Sequence, residues 1–278
     1  MPFWFVFIKW DKHAANGEYR MTNVIKTMKL EACVNSALSA IEAQYGGADR
    51  VELCENMTEG GCTPGAGNII FARKHLNIDL FIMIRPRGAD FLYSNNEFEI
   101  MKQDVKMAKE FGSDGVVFGI LKADGTIDKD RMSELVELAR PMGVTCHRAF
   151  DMTLDPFKAL DDLISIDIDR VLTSGQSDSA LSGASLIKQL IKHAGKRIII
   201  MPGHGIKVYN FEEVIRTTGA EEFHLYLPTK QQSKMLFRRH ETTMGNPDYP
   251  EYEITVVDRE RVREAREIIT NYELRIMN

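Results

Sequence analysis

The sequence predicts a single (β/α)8 barrel of parallel strands, an α/β fold with an N-terminal extension and a C-terminal helix. Three observations carry that expectation. Eight short apolar runs follow one another between Leu30 and Leu227, amphipathic stretches separate them, and no glycine-rich nucleotide turn follows the first run. The repeating unit averages about 25 residues, at the compact end for such barrels.

The runs are LEACV (30–34), RVELCE (50–55), LFIMIR (80–85), GVVFGIL (115–121), GVTCHRAF (143–150), RVLTSG (170–175), RIIIMPG (197–203) and EFHLYL (222–227). Several are apolar throughout, as parallel strands covered on both faces are. Helical patterns occupy 36–45, 98–111, 131–139, 156–164, 184–193 and 211–217, the first after an Asn-Ser cap signal. Alternation argues for a parallel sheet and eight units argue for closure. An open doubly wound sheet would want Gly-x-Gly-x-x-Gly after the first strand, where Val34-Asn35-Ser36 stands instead.

Residues 1–27 are expected to lie outside the core, and 28–278 to form one domain with its tail. Met1–Trp10 is apolar but has no basic residue before it, a poor fit to a signal peptide. Met21 or Met28 would serve as later starts. The tail holds Arg238, Arg239, His240, a turn at Gly245-Asn246-Pro247 and a charged helix over 260–272, suited to capping the barrel or to an oligomer contact. Met244-Gly245 is a candidate closing loop.

The chain has 278 residues, 44% hydrophobic and 27% charged, with a net charge of −5. That balance disfavours nucleic-acid binding, and no run is long enough for a membrane span. Cys33, Cys54, Cys62 and Cys146 form no CxxC pair and read as reduced thiols of a cytoplasmic protein.

Side chains at the C-terminal strand ends of such a barrel converge on one mouth. Here they are Glu31, Cys33, Glu52, Cys54, Glu55, Arg85, Arg87, His147, Arg148, Asp151, Thr173, Ser174, Gly203, His204, Gly205 and His224. So many ionisable groups are costly to bury unless they pair, which marks the mouth as the expected site. Residues i and i+2 share a strand face, so Glu31 and Glu52 are expected to face Arg85. That network either fills a polar layer or supplies a general base tuned by its neighbours. Arg85 and Arg87, with Ser174, Gly203, His204 and Gly205, form a candidate anion site. Cys33 and Cys54 end sequential strands, roughly 4.8 Å apart, and paired thiolates suit Cu(I). The competing reading is a pair of small buried hydrophobes. Phe91, Tyr93 and Phe150 are expected to line the mouth or pack the strand ends.

Together these residues resemble the CutC family. The resemblance rests on LEACV, GGADRVELCEN with TEGG and TPG, MIRPRG with DFLYS, GVVFGIL with DGTID, HRAFDM, RVLTSG, and IIIMPG followed by GI, and covers roughly residues 29–268. It implies a cytosolic TIM barrel, a homo-oligomer (dimer or tetramer), with copper binding attributed to cysteines matching Cys33 and Cys54. The chain departs from the family pattern at His204, Cys62 and Ala89, where Gly, Thr and Gly are usual, and at the bulky Leu225-Tyr226-Leu227.

The expectation is a copper homeostasis protein of that family, binding Cu(I) through Cys33 and Cys54. The alternative is a metal-independent lyase or isomerase acting on a small anionic or sugar-like substrate. Its catalytic set would be Glu31 or Glu52 as base, Arg85 and Arg87 as clamp, and His147, His204 or His224 as acid. No membrane or nucleic-acid partner is expected.

Overall fold

The protein is described by a computed structural model covering residues 7–12, 19–24, 28–239, 241–242, 244 and 250–277. His240 and the turn at Gly245-Asn246-Pro247 lie outside the described residues, as does most of 1–27. Within the extension, β1 (Phe7–Lys12) and β2 (Tyr19–Val24) pair antiparallel as their own two-stranded sheet.

Eight parallel strands make the barrel: β3 (Lys29–Val34), β4 (Arg50–Leu53), β5 (Asp79–Met83), β6 (Gly115–Phe118), β7 (Gly143–Cys146), β8 (Arg170–Thr173), β9 (Ile199–Pro202) and β10 (Glu222–Leu225). They lie in chain order, β10 returns to pair with β3, and a parallel bridge between Gly203 and His224 joins β9 to β10. Each strand falls within one of the eight apolar runs, except that β3 and β5 begin one residue earlier, at Lys29 and Asp79. Leu30, Val34, Val51, Leu53, Leu80 and Ile82 are fully buried toward the helices, because alternate strand residues point outward into the helical layer.

The helices are α1 (Ala37–Gly46), α2 (Ala66–His75), α3 (Asn95–Glu110), α4 (Lys129–Ala139), α5 (Pro156–Ile164), α6 (Ala184–Ala194), α7 (Val208–Thr218) and α8 (Arg259–Met277). Their starts are written locally. Ser36 caps α1 by accepting from the Ser39 N–H, Ser94 and Glu97 form a reciprocal capping box on α3, and Asp155 caps α5 ahead of Pro156.

Four details differ from the sequence expectation. Helix α2 was not foreseen: it buries only Ile69 and Ala72 and starts at Gly65 without a side-chain cap, so neither its periodicity nor a start signal stands out. The fifth run stops being a strand at Cys146, and Arg148–Met152 turns into a 3-10 helix. The tail helix α8 does not cap the mouth. It packs between α1 and α7 and buries Val262, Ala265 and Ile269, completing the outer ring. Before it, β11 (Pro228–Gln232) and β12 (Glu253–Val257) form an antiparallel hairpin.

Candidate functional site: the barrel mouth and its buried ion network

Strand parity fills the barrel with two stacked polar layers. In the lower layer, β4 carries Arg50, which sits beside Glu31 of β3 in the strand register. The Arg50 guanidinium bonds Glu31 and, at 2.7 Å, Glu222; Arg170 reaches Glu222 at 2.6 Å. Both guanidinium groups lie over the Phe81 ring, with Cζ 4.9 and 5.6 Å from its centroid. Gly115 makes room for that ring, since a Cβ there would lie 2.3 Å from it. Two cations and two carboxylates neutralise one another where water does not reach, which is what makes burying them tolerable.

The upper layer holds Glu52, Cys33 and His224. Register places His224 opposite Glu31, and its Nδ1 meets Glu31 Oε1 at 2.6 Å, while Nε2 lies 3.7 Å from Glu52 Oε2. Burial would raise the Glu31 carboxyl, but the Arg50 charge and the His224 hydrogen bond hold it well below the usual carboxylate range. Burial, reinforced by the Glu31 charge, pushes Glu52 up despite His224. His224 resists the opposing pull of burial because Glu52 and Glu31 both favour its imidazolium, and its pKa rises.

Beside this layer is a sulfur cluster. Cys33 Sγ lies 3.7 Å from Cys54 Sγ, and Cys54 Sγ lies 3.1 Å from the Met57 thioether; Met83 packs against the same group. The hydrogen bond with Cys54, then burial, pushes the Cys33 thiol well above its ordinary value. Two groups of side chains bring ligand atoms within 4.8 Å of one another: Cys33, Glu52 and Cys54, and Glu31, Glu52 and His224. In the second, Glu31 is already engaged by Arg50 and His224, which leaves the sulfur-bearing group as the better fit to a metal.

The upper layer opens into a cavity of about 480 Å³ lined by Cys33, Glu52, Met57, Arg85, Phe91, His147, Arg148, His204, Gly205 and His224, among others. Arg85 does not meet Glu31 or Glu52, as strand parity had suggested. It lies beyond the end of β5, and its Nη atoms bond the carbonyl oxygens of Glu59, Gly61 and Ala89. Arg87 turns away from the cavity to Glu97 at 2.6 Å and Asp90 at 3.0 Å, over the Tyr93 ring. Ser174 is buried, bonding Asp151 and the Ser177 carbonyl, and Gly203 faces Leu172 and His224. Phe150 is in the core. Thus Glu52, Arg85, His147, His204, Gly205, His224 and Cys33 line the cavity, and Arg87, Ser174 and Gly203 do not. Glu31 and Cys54 stand behind its wall.

Sequence reasoning missed Arg50, Arg170 and Glu222, which lie toward the strand N-termini where charges are expected at the rim. Parity along β4 was the available signal, because Arg50 shares the inward face of Glu52. It also missed Met57, three residues beyond Cys54.

Comparison with known proteins decides the family. Residues 28–229 match the CutC family. The chain belongs to the CutC family. It is 46% identical over 243 residues to the human copper homeostasis protein cutC homolog, covering 87% of this chain and 89% of that one. It is 47% identical over 236 residues to a CutC family protein from Parabacteroides distasonis, covering 84% and 97%. Among solved structures, a CutC copper homeostasis protein from Streptococcus agalactiae superposes with a TM-score of 0.68 at 32% identity, covering 71% of this chain and 97% of that chain. At 14% identity, Pyrococcus furiosus N-(5'-phosphoribosyl)anthranilate isomerase (TM-score 0.52, covering 88% and 99%) shares the fold alone. Among the described residues no helix of this CutC chain is long and apolar enough to cross a membrane.

Two departures from the CutC pattern coincide with left-handed backbone: Ala89 at φ 63° and His204 at φ 72°. Glycine adopts that conformation freely and other residues pay for it.

Proposed function

We propose that this chain binds Cu(I) as cargo in copper homeostasis, through the thiolates of Cys33 and Cys54 and the thioether of Met57. The observation that carries the reading is the 3.7 Å separation of the two cysteine sulfurs, with the Met57 sulfur 3.1 Å from one of them. Metal–sulfur bonds of about 2.3 Å put two sulfurs about 3.8 Å apart in a tetrahedral site and about 4.0 Å apart in a trigonal one, so the pair needs little rearrangement. Thiolate and thioether are the soft donors that Cu(I) prefers. The human and mouse relatives carry copper homeostasis in their names.

Cytoplasmic residence belongs to the same proposal, since a reducing compartment keeps both thiols available. So does assembly into a homo-oligomer, for which the exposed Met235, Leu236 and Phe237 offer an apolar contact.

The test is anaerobic competition for Cu(I) against a chromogenic chelator, with the wild type and the Cys33→Ser/Cys54→Ser double variant. Binding near one equivalent that disappears in the variant supports the proposal. Equal, weak binding by both sinks it.

A further inference from the structure

We infer that the cavity at the barrel mouth binds a small hydroxycarboxylate, with its carboxylate on Arg85 and His147 and a hydroxyl on Glu52. This inference does not rest on the copper proposal.

Three buried polar atoms of cavity-lining side chains have no hydrogen-bond partner among the described residues: Arg85 Nε, His147 Nε2 and Glu52 Oε1. Native structures rarely leave buried polar groups unsatisfied, since each has given up its hydration for nothing in return. Three bordering one cavity describe the complement of a ligand.

Arg85 is buried, and its Nη atoms bond only neutral carbonyl oxygens, at 2.6, 2.7 and 2.8 Å. Among the described residues no carboxylate lies within ion-pairing distance of it, whereas Arg50 and Arg170 have theirs. A buried cation without a counter-ion is the costly case, and an anion entering the cavity would relieve it.

His147 supplies a second donor on the same wall. Its Nδ1 accepts from the Ala149 N–H at 3.1 Å, so the ring, when neutral, carries its hydrogen on Nε2. Burial and the Arg85 charge keep the ring neutral. The Phe91 ring links the two donors, lying 4.9 Å from the imidazole and 5.2 Å from Arg85 Cζ. A planar carboxylate accepts from both.

Glu52 sets the rest of the ligand. A second carboxylate or a methyl group there would offer Oε1 no hydrogen and leave it unsatisfied. A hydroxyl donates to it. The cavity volume of about 480 Å³ suits a small metabolite.

The probes are glycerate and gluconate, with propionate (no hydroxyl), glycerol (no carboxylate) and inorganic phosphate as comparisons. Binding is followed by calorimetry and by ¹H–¹⁵N spectra of histidine-labelled protein, which read His147 directly in the wild type. The expected result is saturable binding of at least one hydroxycarboxylate with a shift of the His147 signals. Propionate and glycerol should bind on the order of tenfold more weakly or worse. Arg85→Lys and His147→Phe should each weaken hydroxycarboxylate binding by a similar factor. If either variant fails to fold, the wild-type spectra decide alone. Absence of a His147 response to both hydroxycarboxylates, equal response to propionate, or response only to phosphate would overturn the inference.

Discussion

His224 and Glu31 meet at 2.6 Å across the seam where β10 closes on β3, joining residues 193 apart in sequence. The contact links the polar interior of the barrel to its mouth: Glu31 holds Arg50 on one side and orients His224, which faces Glu52, on the other.

Removing the Glu31 charge should therefore be severe. Glu31→Gln leaves Arg50 only the Glu222 carboxylate, which it shares with Arg170, and takes the negative charge away from His224. A loss of about 3–5 kcal/mol is expected, the usual cost of stripping one partner from a buried pair. Urea denaturation reads it as a lower midpoint with an unchanged slope. A loss below about 1 kcal/mol would mean that the network is not as dry as its burial implies.

The two buried histidines should give stability opposite pH slopes. Burial and nearby Arg85 hold His147 at about 3, below its ordinary 6.5. The unfolded chain thus binds the extra proton between those values, and stability falls as pH drops through that window, by up to about 1.4 kcal/mol per unit. His224 is raised by Glu52 and Glu31. Its contribution is complete below the unfolded value and is lost as pH climbs through the folded one. Unfolding midpoints should peak near the unfolded histidine value. His147→Phe should flatten the acid limb and His224→Gln the alkaline one.

Much of this fold was legible in the sequence. Apolar runs such as GVVFGIL and IIIMPG, spaced between amphipathic stretches, read as strands covered on both sides, and Ser36, Ser94 and Asp155 mark helix starts. Strand order alone pointed to Cys33, Glu52, Arg85, His147, His204 and His224 around the cavity, but not to Met57. What could not be read was direction. Arg85 and Arg87 look alike in sequence, yet the loops place one guanidinium in the cavity wall and tie the other to Glu97 and Asp90. Pairing preferences were also hidden, because Glu31 takes its cation from Arg50 in the neighbouring strand and not from the mouth. That choice depends on strand register, which apolar patterning does not encode.

His204 and Ala89 should each be improvable. Both hold left-handed backbone without being glycine. His204→Gly and Ala89→Gly should each stabilise by about 1 kcal/mol, the strain relieved less the added chain entropy of glycine. Thermal unfolding checks this. A melting point that falls in both variants would show that the side chains contribute more than the strain costs.

Copper affinity should rise with pH. Cys33 is held protonated by Cys54 and burial, so binding a metal must expel thiol protons. Affinity should climb up to about tenfold per pH unit for each proton released, as competition titrations at several pH values would show. Met57→Leu should lower the affinity at every pH without changing that slope. A pH-independent affinity would exclude thiolate ligation.

The most direct test is X-ray absorption at the copper edge on anaerobically loaded Cu(I) protein. The expected result is a first shell of sulfur at bond lengths typical of thiolate and thioether, losing a sulfur in Met57→Leu. A shell dominated by nitrogen or oxygen would place the metal on His224 and the carboxylates and contradict the assignment to Cys33 and Cys54.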